Sequence, residues 1–365
     1  MTVGTTGSWP QVLQHLAGRQ DLPEDLAAWA MGEILAGRAT DAQIAAFAVG
    51  LRVKGESAAE VSALAEAMLA AGQRVPLPDA MRPVLDVVGT GGDHAHTVNI
   101  STMAALVAVA CGARVVKHGN RAATSATGTA DVLEALGLAL EASPAEVARQ
   151  LQEFGIGFCF APVFHPAMRH AAAVRRELGI PTVFNILGPL TNPAGAEAAL
   201  IGCADESRAP LMAAVLADRG VSALVVRGDD GLDEVSVSAS TAVWLAQDGQ
   251  VRRLSLDAHA LGVPRHDRSV LVGGDHQRNA DLLRKALGMT DAGPDATAVT
   301  AIRDVVAVNA AAALVAWDLA LGSPVPASEA ALGDAVAARL GQARAALRDG
   351  RAAQVLAGWC APGPA

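Results

Sequence analysis

Apolar residues in the first seventy positions recur at intervals of three and four, whereas beyond residue 82 they gather into short runs rich in valine and isoleucine. The first spacing is that of an amphipathic helix. Ile44, Phe47, Ala48 and Leu51 share one helical face, and Val61, Leu64, Met68 and Leu69 share another. Helix starts precede both stripes: in Thr40-Asp41-Ala42-Gln43 and Ser57-Ala58-Ala59-Glu60 the hydroxyl and the fourth side chain can each satisfy an orphan backbone N–H, forming a capping box. Residues 9–74 are therefore predicted to form a small helical bundle, and the proline-rich stretch 75–82 a linker out of it. Strands are predicted at 85–88, 114–117, 156–160, 199–203 and 223–227, with helical stretches between most of them. Further strands are expected at 234–238, 242–246 and 251–254, and helices at 279–287, 301–321 and 328–348. That alternation predicts an α/β fold with a mainly parallel sheet, dividing the chain into a helical domain, 1–78, and an α/β domain, 79–365.

The strand–helix junctions carry the chemistry. Gly89, Gly91 and Gly92 follow the first predicted strand, where flexible backbone can turn sharply and offer several N–H groups to an anion. Asn99 and Ser101 open an apolar helix whose unpaired N–H groups favour negative charge. Lys117-His118-Gly119-Asn120-Arg121 adds two permanent cations, and Thr124, Ser125, Thr127 and Thr129 add hydroxyls before a helix beginning near Ala130. Such a set suits a ligand with more than one phosphate. The turn is neither a dinucleotide fingerprint, since GTGGD departs from GxGxxG, nor a Walker loop, since no GK[ST] follows.

Composition narrows the partners. With 365 residues and 52% hydrophobic content the chain can bury a large core, and a net charge of −9 argues against a general nucleic-acid binder. Cys111, Cys159, Cys203 and Cys360 lie far apart without a CxxC pair, which fits reduced thiols in a cytoplasmic protein. The N-terminus lacks a secretion signal, and the apolar stretch 305–317, interrupted by Asn309, is shorter than the roughly 20 residues of a membrane span, so it is read as a buried helix. Adjacent Asp233 and Glu234 on a loop suit a hard cation, although a solvated acidic turn is the commoner explanation of such a pair. Asp229 and Asp230 are assigned no such role. His94 and His96 lack a second ligand pair at zinc spacing and are read as exposed loop residues.

Taken in order, Gly89-Thr90-Gly91-Gly92-Asp93, Asn99-Ile100-Ser101-Thr102, Lys117-His118-Gly119-Asn120-Arg121, His165-Pro166-Ala167-Met168, Val174-Arg175-Arg176, the run from Phe184 to Pro193 and Asp233-Glu234-Val235-Ser236 resemble the motifs of the anthranilate phosphoribosyltransferase family. The helical opening, with DAQIAAF and KGES, is also similar. The resemblance implies a helical N-terminal domain, joined by about 170–192, beside an α/β domain of nucleoside-phosphorylase type, in a homodimer formed through the helical domains. The substrates it implies are phosphoribosyl pyrophosphate and anthranilate, with two magnesium ions per site. It implies donor contacts at Gly89, Gly92, Asp93, Thr97, Asn99, Ile100, Ser101, Thr102, Lys117, His118, Gly119, Asn120, Arg121 and Thr129, acceptor contacts at Gly89, Asn120 and Arg175, and metal contacts at Ser101, Asp233 and Glu234. His118 is not assigned as a base, because an aromatic amine is already neutral near pH 7. Ala126 stands where relatives often carry a cation, and His94 where glycine is usual. These departures leave open a different aromatic acceptor, and Gly128-Thr129-Ala130-Asp131 resembles a piece of the pyrimidine-nucleoside phosphorylase pattern.

Overall fold

A computed structural model describes residues 7–121 and 127–361, so Thr124, Ser125 and Ala126 lie outside the described residues. Helices α1 (Trp9–Ala17), α2 (Glu24–Leu35), α3 (Asp41–Lys54) and α4 (Ala58–Ala71) form a helical layer. Both capping boxes are present: Thr40 Oγ1 accepts from the Gln43 N–H at 3.3 Å and Gln43 Oε1 from the Thr40 N–H at 2.9 Å, while Ser57 and Glu60 exchange bonds of 3.2 and 2.8 Å. Glu60 is wholly buried and also accepts from Lys54 Nζ at 2.8 Å and from the Leu22 N–H at 2.8 Å. One cap residue thus ties the α3–α4 turn to the segment ahead of α2.

The linker ends where a seven-stranded sheet begins, with strands β1 (Leu85–Gly89), β2 (Val115–Gly119), β3 (Ile156–Phe160), β4 (Ala198–Gly202), β5 (Ser222–Gly228), β6 (Thr241–Gln247) and β7 (Gln250–Leu256). Their spatial order is β3-β2-β1-β4-β5-β6-β7. The first five are parallel, and β6 and β7 add antiparallel edge strands. Helix α5 (Ile100–Ala110) follows β1; α6 (Thr129–Ala135) and α7 (Pro144–Phe154) follow β2; α8 (Ala161–Phe164), α9 (Arg169–Leu178) and α10 (Phe184–Leu187) follow β3; α11 (Ala209–Asp218) follows β4. The chain closes with α12 (His276–Ala286), α13 (Ala296–Ala320), α14 (Glu329–Arg348) and α15 (Arg351–Trp359).

Strand alternation divides the core between the two faces. Leu85, Val87, Leu200, Leu224 and Val226 pack with α5 and α13, while Ala199, Ile201, Ala223 and Val225 pack with α11 and the helical layer. Helix α13 is long and apolar enough to cross a membrane, yet every residue from 305 to 317 is buried between sheet, α5 and α14. Helix α9 packs on α2 and α3, and α10 on α4, so this returning segment completes the helical layer.

The strand expected at 234–238 does not form. Ser236 Oγ accepts from the N–H groups of Ser238 and Ala239, and the Ser236 N–H donates to Thr241 Oγ1 at 3.0 Å, so local side-chain bonds replace ladder pairing. The strand expected at 114–117 runs on to Gly119, a shift that matters for the site.

Candidate active site

From β1 the chain moves outward through β2 and β3 and then returns to place β4 on the other side of β1. Open α/β sheets bind ligands at this kind of switch point, outside the carboxyl ends of the strands. Gly89 and Gly202 face each other there, and a cleft of about 710 Å³ opens above them. Gly91 and Gly92 adopt φ of 65° and 85°, a conformation that side chains resist. The exposed His94 and His96 share that left-handed conformation, at 54° and 50°. Asn99 does not cap α5 with its side chain, which instead accepts from Asn279 Nδ2 at 3.1 Å. The Ile100 N–H is taken by the Val98 carbonyl at 2.7 Å, so what the start of α5 offers the cleft is chiefly its positive dipole end and the Ser101 hydroxyl, an arrangement suited to anions.

Three carboxyl groups meet beside this cradle. Asp233 Oδ2 accepts from the Gly91 N–H at 2.8 Å, Asp93 Oδ1 from the Ala95 N–H at 3.0 Å, and the Glu234 carboxylate from the Ser101 N–H. Asp93 Oδ2 is buried with no partner among the described residues. Burial first, and then repulsion from Asp93 and Glu234, holds the Asp233 carboxyl well above the usual range. Burial likewise pushes Glu234 up to about 8, against the pull of Lys117 and with a further push from Asp93. Crowded acids with an orphan oxygen fit a hard divalent cation. Among the described residues no group of three His, Cys, Asp or Glu side chains is placed to hold a metal ion by itself, so a cation here would need further oxygen ligands from elsewhere.

The loop bearing these acids is anchored from the apolar helix. Asn309 Oδ1 accepts from the Val235 N–H at 2.9 Å and its Nδ2 donates to the Val235 carbonyl at 2.9 Å, pairing that residue as a strand neighbour would. The polar interruption of α13 thus positions the acidic pair. On the opposite side the loop presses on β4: a Cβ added to Gly202 would lie 1.6 Å from the Asp233 carbonyl oxygen. Gly202→Ala is expected to cost about 2 kcal/mol through overpacking and to weaken divalent-cation affinity by displacing Asp233. Calorimetric titration alongside thermal melting measures both, and unchanged cation affinity would refute the coupling.

Because β2 continues through Gly119, Lys117 and His118 point to opposite faces of the sheet. Lys117 is 1% exposed and turns inward, donating to the Val87 carbonyl and lying 3.5 Å from the Ser101 carbonyl. Burial pulls its ammonium down to about 8, opposed by Asp86 and Glu234. Thr102 is fully buried as well. These two expected donor contacts therefore stand behind the cleft wall rather than in it, and Lys117 meets the acids as a counter-charge from beneath.

His118 turns the other way. Its Nδ1 donates to the Gly188 carbonyl at 2.9 Å, which leaves Nε2 as a bare acceptor with no partner among the described residues. His165 packs 5.1 Å away between ring centroids and donates from Nε2 to the Thr191 carbonyl at 3.0 Å. Burial, reinforced by His165, drops the His118 pKa to about 3, far below its ordinary 6.5. The unfolded chain then binds more protons between those values, so this group's contribution to stability is present above pH 6.5 and lost as pH falls toward 3, at up to about 1.4 kcal/mol per pH unit. His165 is shifted in the same direction by its own burial. His118→Gln should flatten the fall in urea midpoint between pH 7 and pH 5; an unaltered slope would exclude His118 as a source.

Three arginines, Arg121, Arg169 and Arg175, also line the cleft. Arg175, on α9, lies with its guanidinium 5.8 Å from the Phe184 ring centroid and has no ion pair among the described residues; burial alone lowers its pKa. Helix-surface pairing with Glu177 is thus absent. Arg121 also lines the cleft but is shared with Asp131 at 2.9 Å and Glu134 at 2.8 Å. Gly89, Gly92, Asp93, Thr97, Asn99, Ile100, Ser101, His118, Gly119, Asn120, Thr129, Asp233 and Glu234 complete the expected residues around this one space. Arg169, His165, Phe184, Asn185 and Asn279 line it without having been assigned a role from sequence. All but Asn279 lie in or beside motifs already quoted, whereas Asn279 arrives from a distant helix with no local signal.

The same two-part order of elements occurs in known proteins. Residues 81–353 match the family model for the glycosyl transferase family a/b domain, and residues 10–72 match its helical bundle domain. Anthranilate phosphoribosyltransferase from Salinispora arenicola is 54% identical over 353 residues, covering 96% of each chain. The chain belongs to the anthranilate phosphoribosyltransferase family. Among solved members, the Thermus thermophilus structure superposes with a TM-score of 0.84 at 39% identity, covering 96% of this chain and 98% of that one. The Saccharomyces cerevisiae enzyme in complex with phosphoribosyl pyrophosphate and magnesium gives 0.80 at 28% identity, covering 96% of each. Its complex with 4-fluoroanthranilate gives 0.79 at 27%, covering 97% and 98%.

Proposed function

We propose that this chain transfers the phosphoribosyl group of phosphoribosyl pyrophosphate to the amine of anthranilate, releasing pyrophosphate, as a step of tryptophan biosynthesis. One observation carries the reading: a single cleft is lined by a glycine-turn anion cradle, by a carboxylate cluster and by an arginine with no acidic partner among the described residues. The yeast relative's complexes with phosphoribosyl pyrophosphate and magnesium and with 4-fluoroanthranilate support the same two classes of ligand.

The glycine turn at Gly92 and Asp93, the dipole end of α5 and the hydroxyls of Ser101 and Thr97 hold the diphosphate, with Lys117 beneath them balancing Glu234. Asp233, Glu234 and the Ser101 hydroxyl would hold magnesium. When bound, that ion stabilises the negative charge of the departing pyrophosphate. Arg175 binds the acceptor carboxylate through a fork of donors, and Asn120 contacts the ring side. His118, with a pKa near 3, is neutral and takes no proton from the amine at neutral pH. Catalysis then rests on positioning and on charge stabilisation at C1 of the ribose. The reading includes two ions per site, a homodimer through the helical domains and a cytoplasmic location.

The loss of anthranilate fluorescence on mixing with phosphoribosyl pyrophosphate and magnesium tests donor, acceptor and ion together. Consumption should require both additions. Ribose transfer from thymidine plus phosphate, with none from phosphoribosyl pyrophosphate, would reverse the assignment toward a nucleoside phosphorylase. Turnover only with a substituted aromatic acid would retain the donor and change the acceptor.

A further inference from the structure

The KGES motif at 54–57 belongs to the helical layer, and its Glu56 reaches out of that layer to Arg208, just ahead of α11. Arg208 is 3% exposed. Its Nη2 donates to Glu56 Oε1 at 2.7 Å and its Nη1 to the Thr182 carbonyl at 3.0 Å, while Nε has no hydrogen-bond partner and lies 3.7 Å from Asp205 Oδ2. The guanidinium fork therefore joins three parts of the chain: the α3–α4 turn, the start of α11 and the turn that leads into α10.

That last turn is closed on itself. The Thr182 carbonyl also accepts from the Asn185 N–H at 3.0 Å, and the Thr182 N–H donates to Asn185 Oδ1 at 3.0 Å. Thr182 Oγ1 is buried without a partner among the described residues, so the turn's tie to α11 runs through its carbonyl. Two side chains of this turn reach the cleft: Asn185 and the buried Phe184 both line it, with the Phe184 ring centroid 5.8 Å from the Arg175 guanidinium. A brace between layers needs only a charge pair. A planar fork that also grips the backbone two residues before Phe184 sets the height of the ring on which Arg175 rests.

We propose that Arg208, oriented by Glu56, is a positioning residue for the acceptor, acting on Arg175 through the 182–185 turn. This rests on the anthranilate reading above. Wild-type turnover is measured first: no consumption of anthranilate would overturn that reading, whereas an active wild type leaves only the positioning role under test.

Arg208→Lys keeps the charge and loses the two-directional fork. It should raise KM for anthranilate about tenfold, the scale expected when a binding group shifts by a fraction of an ångström, with KM for phosphoribosyl pyrophosphate changed less than about twofold. Glu56→Gln keeps an acceptor for Arg208 and should show the same selective rise, smaller in size. It serves as the test if the lysine variant does not fold. In an Arg175→Ala background, Arg208→Lys should add no further rise, because the effect is transmitted through the missing side chain. Equal changes in both KM values, unchanged KM for anthranilate in folded variants, or additivity with Arg175→Ala would each overturn the proposal.

Discussion

Replacing Asp233 and Glu234 together by alanine is expected to reduce magnesium-supported turnover at least about a thousandfold, the equivalent of roughly 4 kcal/mol of lost transition-state stabilisation, while leaving the fold in place. The two acids lie on a loop whose backbone is held independently, by Asn309 on one side and by the Gly202 contact on the other. Their side chains add strain to the cation-free protein, since burial and mutual repulsion with Asp93 already hold both carboxyls far above their ordinary range. Truncation therefore removes a ligand set and relieves crowding at once. The double variant should melt at or above the wild-type temperature when magnesium is absent, and added magnesium should no longer raise it. Steady-state rates across a magnesium titration, with circular dichroism to check folding, decide the matter. A folded variant retaining a tenth of the wild-type rate would show that these acids do not carry the ion.

Arg175→Ala should raise KM for the aromatic acid about thirtyfold, corresponding to about 2 kcal/mol for charge-assisted hydrogen bonds lost in a half-buried site, with little change in KM for the donor. Arg175 is supported by an aromatic ring instead of a carboxylate, so its donors stay available to a ligand anion. Lysine at this position should restore only part of the affinity, because an ammonium cannot match the planar two-point grip on a carboxylate. A neutral amide analogue of the acceptor should be nearly insensitive to the substitution. Equal losses for acid and amide would move the carboxylate site elsewhere in the cleft, with Arg169 the next candidate on the same helix.

Much of this molecule could be read locally. Thr40, Gln43, Ser57 and Glu60 announce their helices because a capping box is satisfied within four residues. The strands at 85–88 and 156–160 were legible because residues buried on both faces form short apolar runs, interrupted in the first only by the buried Asp86. The acidic pair could be named but not explained. Its anchor, Asn309, reads in sequence as an unwelcome amide in an apolar helix, and only its bonds to Val235 give it a purpose. The strand wrongly expected at 234–238 has the same origin: Val235 and Val237 are buried as strand residues would be, but Ser236 closes a local turn around itself.

Lys117 and His118 mark the boundary between the two kinds of knowledge. Side by side in sequence they look like one basic loop, and one extra residue pair in β2 turns them to opposite faces, one toward Glu234 and the Ser101 carbonyl and the other toward the Gly188 carbonyl. The order of motifs along the chain by itself determined the family and the two-part architecture and named most of the residues that line the cleft, because glycine turns, helix starts and apolar periods are written within a few residues. Which of those residues face one another was decided by tertiary structure alone: strand register and the switch point between β1 and β4 are long-range packing choices that no short stretch of sequence contains.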